Sequence, residues 1–79
     1  MIADAKSRLQ EVLQEQFNEA PSYRLDMEEG PSHQKVFTVS VIFREIVLGT
    51  GSASSKKEAE QRAAAVALVD NDQMIAKMA

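Results

Sequence analysis

Residues 37–52, FTVSVIFREIVLGTGS, decide the fold, because apolar and polar side chains largely alternate over the first seven positions. A period of two predicts a strand with one buried face. The residues expected to face the core are Phe37, Val39, Val41 and Phe43, and those expected to point away from it are Thr38, Ser40 and Ile42. Arg44 and Glu45 predict a tight connection, although they lack the Asn-Gly or Asp-Gly pair typical of two-residue hairpins. Another strand then runs from about Ile46 to Ser52, so this stretch predicts an antiparallel hairpin.

The sequence before the hairpin predicts a helix followed by one more strand. Apolar residues recur at spacings of three and four from Asp4, the expected N-cap, to about Phe17, as on one face of an amphipathic helix. That face comprises Leu9, Val12, Leu13 and Phe17. Alternation over residues 22–28 predicts a half-buried strand, and Gly30 with Pro31 marks the loop after it. The apolar positions of this strand are Tyr23, Leu25 and Met27.

The sequence after the hairpin predicts a second helix. Ser55 and Glu58 match a capping box, in which each side chain accepts a hydrogen bond from the backbone amide of the other residue. Small residues, mostly alanine, continue to Val69 and would let this helix lie close against a sheet. The helix either ends at residues 70–72, DND, or continues as far as Met78, and the sequence leaves both endings open.

These elements together predict an α+β fold in the order α-β-β-β-α, with two helices packed on one face of a three-stranded antiparallel sheet. The 79 residues have room for one domain, which we expect to span residues 1–79. The sequence has no cysteine, no apolar run long enough to cross a bilayer and no recognisable secretion signal. We therefore expect a cytoplasmic domain with no membrane partner.

Nothing in the sequence predicts catalysis. The single histidine, His33, has no serine–acid arrangement to complete it, and the adjacent Glu28 and Glu29 would point to opposite faces of a strand. Residues 49–51, Gly-Thr-Gly, lack the third glycine and the lysine of nucleotide-binding loops. One histidine without cysteine argues against structural zinc. We expect no catalytic residue, no metal or other cofactor and no small-molecule ligand in this domain.

Two adjacent lysines, Lys56 and Lys57, fall in the first turn of the second predicted helix. The net charge is −3, but six of the nine lysines and arginines lie in residues 35–79, so positive charge is local. A helix N-terminus already carries partial positive charge, and cations there become favourable when an anion completes the site. Amides, helix dipole and ammonium groups would then bind phosphate together. The alternative is an ordinary solvated lysine pair.

The first helix carries a polar stripe, which consists of Ser7, Gln10, Glu11 and Gln14. Taken alone, such a stripe is typical of a solvated helix face, and a loop histidine such as His33 is typically incidental. Glutamine and glutamate can nevertheless bond ribose hydroxyls and base edges in a shallow groove without needing positive charge. The coexistence of stripe, loop and lysine pair on one small frame favours a nucleic-acid-binding surface.

Three motifs resemble those of double-stranded-RNA-binding domains. Residues 30–37, GPSHQKVF, resemble the family's GPxHxxxF motif. Residues 55–60, SKKEAE, resemble its SKKxAE motif, and residues 9–14, LQEVLQ, resemble its LQExxQ helix. They occur in the family's order and at similar intervals over nearly the whole chain. Residues 4–14 and 49–64 are most similar to the C-terminal domain of bacterial ribonuclease III.

The resemblance implies a domain that binds double-stranded RNA through three regions. The first helix would touch one minor groove, the loop after the first strand would touch the next, and the lysines would bind phosphates across the major groove between them. The implied RNA-binding residues are Ser7, Gln10, Glu11, Gln14, Pro31, Ser32, His33, Ser55, Lys56, Lys57 and Gln61. The resemblance also implies a parent ribonuclease that cuts RNA with magnesium in a separate domain. One possibility for this parent is a homodimer. The isolated domain is expected to be a monomer.

Three departures from the family pattern predict weaker phosphate affinity than in a basic relative. Ala53 stands where many relatives have a third glycine, Glu60 where many have another lysine, and residues 70–72 replace a leucine- and lysine-containing ending. Two alternatives stay open. One is a protein-interaction module of the same fold, which the net charge of −3 favours, and the other is a ribosomal-type RNA-binding domain.

Overall fold

The computed structural model describes residues 4–71, which form two helices and three strands. In chain order they are α1 (Ala5–Phe17), β1 (Ser22–Glu29), β2 (Val36–Phe43), β3 (Ile46–Ala53) and α2 (Lys56–Asp70). The predicted α+β fold and its order of elements are confirmed. Asp4 caps α1, because its carboxylate accepts a hydrogen bond from the Ser7 amide, and α1 ends where Asn18 adopts the left-handed conformation.

The strands form one antiparallel sheet in the order β1-β2-β3, so β2 lies in the centre. α2 packs across β3 and β2, and α1 packs against α2. Both helices cover the face of the sheet that carries Val39, Val41 and Phe43, as the alternation in β2 predicts. The arrangement leaves β1 at an edge, away from most of the helical cover.

The hydrophobic core joins α1, α2 and the sheet. Its main cluster comprises Leu9 and Leu13 of α1, Val41, Phe43 and Leu48 of the sheet, and Ala5, Ala63, Ala64 and Ala67. Burying a leucine of this kind contributes about 2 kcal/mol. Phe17 and Phe37, both predicted to be core residues, are only half-buried and pack on the margins of the core, because they lie at the ends of their elements.

Two glycines of β3 allow α2 to lie against the sheet backbone. A Cβ atom added at Gly49 would lie 2.5 Å from the carbonyl oxygen of Ala63, and one at Gly51 would lie 2.5 Å from the amide nitrogen of the same residue. Both distances are far below van der Waals contact, and both partners are backbone atoms of α2. The close approach of helix and strand therefore requires glycine at these positions.

The hairpin between β2 and β3 has the predicted two-residue connection. Phe43 pairs with Ile46, and Arg44 and Glu45 have φ angles of 51° and 68°. Positive φ at both central residues is the geometry of the tight hairpin turn that asparagine and glycine favour. Here two residues with Cβ atoms adopt it, and each side chain makes that conformation costly. Arg44 gains contacts in return, because its guanidinium group lies over the rings of Phe17 and Phe43.

Replacement of Glu45 with glycine is expected to stabilise the domain by about 1 kcal/mol, because glycine adopts positive φ without a steric penalty. For a domain of this size, that gain raises the melting temperature by about 5 °C. Thermal unfolding followed by circular dichroism measures the shift. Glu45→Ala is the control, since it removes the carboxylate and keeps the Cβ atom. An equal rise in both variants would assign the effect to charge and contradict the turn argument.

The prediction that Leu25 and Met27 are half-buried is wrong, since they are 41% and 48% exposed. The register between β1 and β2 shifts between these residues, so Leu25 pairs with Val39 and Met27 pairs with Thr38. The extra residue forms a bulge, which reverses the alternation of faces. Met27 therefore lies on the face opposite the helices, while Leu25 lies at the uncovered edge of the sheet.

On the face opposite the helices, hydroxyl groups pair across the strands. Ser40, which was expected to point away from the core, is nonetheless buried there, because its hydroxyl contacts the carboxylate of Asp26 and the hydroxyl of Thr50. Thr38 likewise contacts Ser52 at 2.8 Å. The hydrogen bond from Ser40, and after it that from Arg24, holds the pKa of Asp26 below its usual value. These contacts join the three strands through polar groups on a face without helical cover.

The second helix ends at Asp70. Asn71 follows as the C-cap, and its side-chain amide donates to the carbonyl oxygens of Leu48 at 2.8 Å and Ala67 at 2.9 Å. The first of the two predicted endings is therefore correct for this segment, while positions 72–79 lie outside the described residues. Neither α1 nor α2 is long and apolar enough to cross a membrane.

Candidate nucleic-acid interface

The polar stripe of α1 is exposed along its length. Ser7, Gln10, Glu11 and Gln14 line a shallow groove of about 350 Å³ on the helix surface. The opposite side of α1 holds Leu9 and Leu13, which anchor the helix in the core. The heptad-like spacing of apolar residues thus fixes which side of α1 faces solvent, and it presents the four polar residues together.

A second cavity, of about 240 Å³, connects the polar stripe to the start of α2. It is lined by Asp4, Lys6, Ser7, Gln10, Lys57 and Gln61. The structure therefore brings together two regions that are far apart in sequence, namely the beginning of the stripe and one of the two lysines. An elongated ligand lying along this surface would meet amide and hydroxyl groups first and a cation next.

The start of α2 combines a side-chain cap with two lysines in the first turn. Ser55 caps the helix, with its hydroxyl oxygen accepting a hydrogen bond from the Glu58 amide at 3.2 Å. This is one half of the predicted capping box, and the reciprocal bond from the Ser55 amide is not formed among the described residues. Lys56 and Lys57 follow in the first turn with exposed side chains. The positive end of the helix dipole and the two ammonium groups therefore contribute positive potential at the same place.

Lys56 and Lys57 differ from the other basic residues in the described part of the chain because they have no partner there. Five of the remaining six form ion pairs with carboxylates, and Arg62 donates to the carbonyl oxygen of Ser52 at 2.8 Å. The five pairs are Lys6–Glu60, Arg8–Glu11, Arg24–Asp26, Lys35–Glu28 and Arg44–Glu19. Between residues 4 and 71, the basic side chains without an ion pair are thus Lys56, Lys57 and Arg62, all on α2, and the two lysines also lack a hydrogen-bond partner there.

The loop between β1 and β2 lies at the same end of the sheet as the start of α2. Val36 pairs with the last residue of β1, and the next residue, Phe37, pairs with Ala53, which closely precedes α2. Within the loop, Pro31, Ser32 and His33 are exposed. The loop residues therefore form a separate projection and do not line either cavity of α1.

The bulge in β1 also affects this end of the sheet. Because it reverses the alternation, Glu28 pairs with Phe37 and lies on the helical face. Its carboxylate accepts a hydrogen bond from Lys35 at 2.8 Å. That bond, and to a smaller extent the charge of Lys56, holds the pKa of Glu28 below its usual value. Lys35 is thereby neutralised beside the loop, whereas Lys56 is left without an ion-pair partner in the described residues.

Two residues of the interface were not identified from the sequence as site residues. Asp4 was expected only to cap α1, yet it also accepts a hydrogen bond from the side chain of Gln61 at 2.8 Å. Lys6 lines the cavity beside Lys57 and was not singled out at all. Contacts across more than fifty positions have no local signature, so no pattern in the sequence could have indicated them.

The carboxyl group of Asp4 titrates well below its ordinary range. Hydrogen bonds from the Ser7 side chain, the Gln61 side chain and the Ser7 amide lower its pKa from 3.8 to about 2. A folded-state pKa below the unfolded one means that the carboxylate stabilises the fold above about pH 4. This contribution is lost as the pH falls from about 4 to about 2.

We expect the unfolding midpoint of the unmodified chain to fall more steeply than that of Asp4→Asn between about pH 4 and pH 2, because only the unmodified chain must protonate this carboxylate. Urea titrations followed by circular dichroism at several pH values measure the difference between the two chains. Above about pH 5 that difference should be constant. A constant difference throughout the acidic range would contradict the assigned role of Asp4.

The profile of the family described as "Double-stranded RNA binding motif" matches residues 5–70. The chain belongs to the double-stranded RNA binding motif family. The resemblance inferred from the three motifs is thereby confirmed, and the chain is a double-stranded-RNA-binding domain. No group of three or more potential metal ligands occurs within residues 4–71.

Curated relatives of the chain are bacterial ribonucleases. Ribonuclease 3 of Desulfotalea psychrophila is 74% identical over 68 residues, which are 86% of this chain and 28% of that protein. Ribonuclease 3 of Syntrophomonas wolfei is 52% identical over 68 residues, which are 86% of this chain and 29% of that protein. The chain thus spans less than a third of the length of either ribonuclease.

Among solved structures, a chain of Arabidopsis HYL1 superposes with a TM-score of 0.74 at 37% sequence identity. The superposition covers 86% of this chain and 96% of the HYL1 chain. That structure was described in relation to miRNA processing. Nearly the whole of the HYL1 chain therefore has a counterpart in the helices and strands described above.

Proposed function

We propose that this domain binds double-stranded RNA by its A-form shape, as the substrate-binding domain of a ribonuclease III. The observation that carries the proposal is the pair of lysines at the start of α2 that have no ion-pair partner within residues 4–71, of which Lys57 lines a cavity together with Ser7 and Gln10. The proposed RNA contacts are Ser7, Gln10, Glu11, Gln14, Pro31, Ser32, His33, Ser55, Lys56 and Lys57.

The arrangement suits the grooves of an RNA duplex. The deep major groove of A-form RNA hides its bases, whereas the shallow minor groove displays 2′-hydroxyls. Amide, carboxylate and hydroxyl groups of α1 can bond those hydroxyls, and the two ammonium groups of α2 can bind phosphates of the adjacent major groove. The exposed loop with His33 supplies the contact to the next minor groove. The domain then spans about 16 base pairs with little dependence on base sequence.

For the whole protein, we propose a ribonuclease III that cleaves double-stranded RNA in a separate domain. The identities of 74% and 52% to bacterial Ribonuclease 3 support this assignment. Magnesium would serve that other domain, and the whole protein would act as a cytoplasmic homodimer. Residues 1–79 would form one domain, monomeric in isolation and binding neither metal nor small molecules.

A titration with matched duplexes tests the proposal. RNA and DNA duplexes of about 20 base pairs and the same sequence are long enough for one domain to contact both minor grooves. At low salt we expect saturable binding to the RNA duplex and much weaker binding to the DNA duplex, because DNA lacks 2′-hydroxyls and has B-form grooves. Equal affinity for both would reject recognition of shape. Failure to bind the RNA duplex at low salt would reject the proposal and favour a protein-interaction module.

A further inference from the structure

Gln61 was expected to contact RNA, but both ends of its side-chain amide are occupied within the protein. Its Oε1 atom accepts a hydrogen bond from the backbone amide of Lys6 at 3.1 Å. Its Nε2 atom donates to Oδ1 of Asp4 at 2.8 Å. The Gln61 side chain is also partly buried. One side chain of α2 therefore bonds one backbone amide in the first turn of α1 and the residue that caps α1, and it has little left to offer a ligand.

The neighbouring residue of α2 makes a second link to the same end of α1. The ammonium group of Lys6 forms an ion pair with the carboxylate of Glu60 and lies 4.8 Å from the centre of the Tyr23 ring. The Lys6 and Glu60 side chains are 34% and 28% exposed, so solvent screens this pair less than the ion pairs on the open surface. Burial, with smaller effects of the Glu60 and Asp4 carboxylates, raises the pKa of Tyr23 to about 12.

These two links lie where the binding surface needs to be rigid. The core holds α1 through Leu9 and Leu13 in its middle and through the small side chain of Ala5 at its start, whereas Ser7 in the first turn is exposed. The links from Glu60 and Gln61, which lie three and four positions after Lys57, tie the polar groups of that start to α2. They therefore set the distance between the groove contacts of α1 and the phosphate contact of α2.

We propose that Asp4, Lys6, Glu60 and Gln61 form a clamp that positions the polar stripe of α1 relative to Lys57, so that one RNA duplex contacts both. Glu60 and Gln61 are then positioning residues and do not touch RNA. The inference rests on the proposed function, because it concerns how the same surface is held. It replaces the expectation that Gln61 contacts RNA, and it gives Glu60 a role other than reducing the positive charge near the lysines.

The sign of one effect separates the clamp from simple electrostatics. If Glu60 only diluted positive charge, its removal would tighten RNA binding, because a repulsive carboxylate would be lost. The clamp predicts the opposite, since Glu60→Ala releases Lys6 and loosens the start of α1. We expect Glu60→Ala and Gln61→Ala each to weaken binding to the RNA duplex about fivefold, an effect of the size of one hydrogen bond. Glu19→Ala is the matched control, because Glu19 pairs with Arg44 at the hairpin end of the domain.

A double-mutant cycle tests positioning directly. Gln10→Ala and Lys57→Ala are each introduced into the unmodified chain and into the Gln61→Ala chain, and RNA affinities are measured by titration. In the Gln61→Ala chain, Gln10→Ala should lower the RNA affinity by a smaller factor, because the α1 contact is already misplaced. Lys57→Ala should lower the RNA affinity by the same factor in both chains. If Gln61 had only a structural role, Gln61→Ala would change stability and leave the affinity losses caused by Gln10→Ala and Lys57→Ala unchanged.

Every outcome of this experiment bears on the clamp. Thermal unfolding of each variant fixes a temperature at which all are folded, and Glu60→Ala with its own cycle replaces Gln61→Ala if that variant does not fold. The clamp is rejected if Glu60→Ala tightens binding, or if the effects of Gln61→Ala and Gln10→Ala multiply independently. If Glu60→Ala and Gln61→Ala bind as well as the unmodified chain while Gln10→Ala and Lys57→Ala bind more weakly, only the clamp is wrong. If the unmodified chain does not bind the RNA duplex, the proposed function itself is wrong.

Discussion

Changing both Lys56 and Lys57 to alanine is expected to weaken binding to an RNA duplex about 100-fold at low salt. Each lysine would make a charge-assisted contact to a phosphate, and loss of one such contact costs about tenfold in affinity. The two lysines are exposed and pair with no carboxylate between residues 4 and 71. Their charge is therefore available to the ligand without first breaking an ion pair.

The salt dependence of binding gives the same prediction a second measurement. The logarithm of the association constant falls with the logarithm of salt concentration, with a slope of about one unit for each phosphate neutralised. Because six of the eight basic residues in the described range are engaged by other groups of the protein, we expect a shallow slope. In the variant that lacks both lysines, the salt slope should be smaller by about two units than in the unmodified chain. Titrations at several salt concentrations, with an RNA duplex of about 20 base pairs, measure both quantities.

Arg24→Ala provides the control for these lysines. It also removes one positive charge, but Arg24 is already paired with Asp26 at 2.6 Å on the sheet face opposite the helices. We expect its RNA affinity to change less than twofold, a surface effect of the usual small size. If Arg24→Ala weakened binding as much as either single lysine variant, total charge would govern affinity. The start of α2 would then have no special role.

The sequence predicted the elements whose patterns are local. Apolar residues at helical spacing gave Leu9 and Leu13 of α1 as core residues, and alternation gave the buried face of β2. The N-terminal cap of α2 was predicted from residues 55–58, and in the structure the Ser55 side chain forms it. In each case the residues that determine the structure lie within one turn or two strand positions of one another, so a short window of sequence contains the whole signal.

The errors have a common cause, because they concern contacts between distant parts of the chain. Leu25 and Met27 alternate with charged residues, yet a bulge opposite β2 and a position at the sheet edge leave both exposed. Sequence alternation cannot locate a bulge that depends on pairing with another strand. The bonds of Gln61 to Asp4 and Lys6 were not foreseen for the same reason, since nothing near Gln61 in the sequence indicates them.

The position of the lysines depends in turn on how closely α2 lies on the sheet. Four alanines of α2 are fully buried, namely Ala59, Ala63, Ala64 and Ala67. Their small side chains bring the helix near β3, and Gly49 and Gly51 remove the last atoms that would hold it away. Any change that lifts α2 from β3 therefore disturbs the core and displaces the start of the helix. The glycines of β3 are thus linked physically to the position of Lys56 and Lys57, the proposed phosphate contacts.

Gly49→Ala is accordingly expected to destabilise the domain by about 3 kcal/mol, the upper end of the usual cost of overpacking a core. The added Cβ atom would lie 2.5 Å from the carbonyl oxygen of Ala63 and 2.7 Å from the amide nitrogen of Ala67. Both are backbone atoms, so no change of side-chain rotamer relieves the contact. For a small domain this loss lowers the melting temperature by roughly 15 °C or more, which thermal unfolding followed by circular dichroism measures.

Two further variants make this prediction specific. Thr50→Ser changes the neighbouring residue, which is exposed, and it keeps the hydroxyl group. The stability of the domain should therefore change by no more than about 0.5 kcal/mol in this variant. Combining Gly49→Ala with Ala63→Gly should not restore stability, because the obstructing atom at Ala63 is its carbonyl oxygen and not its methyl group. Rescue by Ala63→Gly would mean that α2 can shift along β3 to accept the extra atom. In that event the start of α2 would be adjustable, and the glycines would not fix the position of the two lysines.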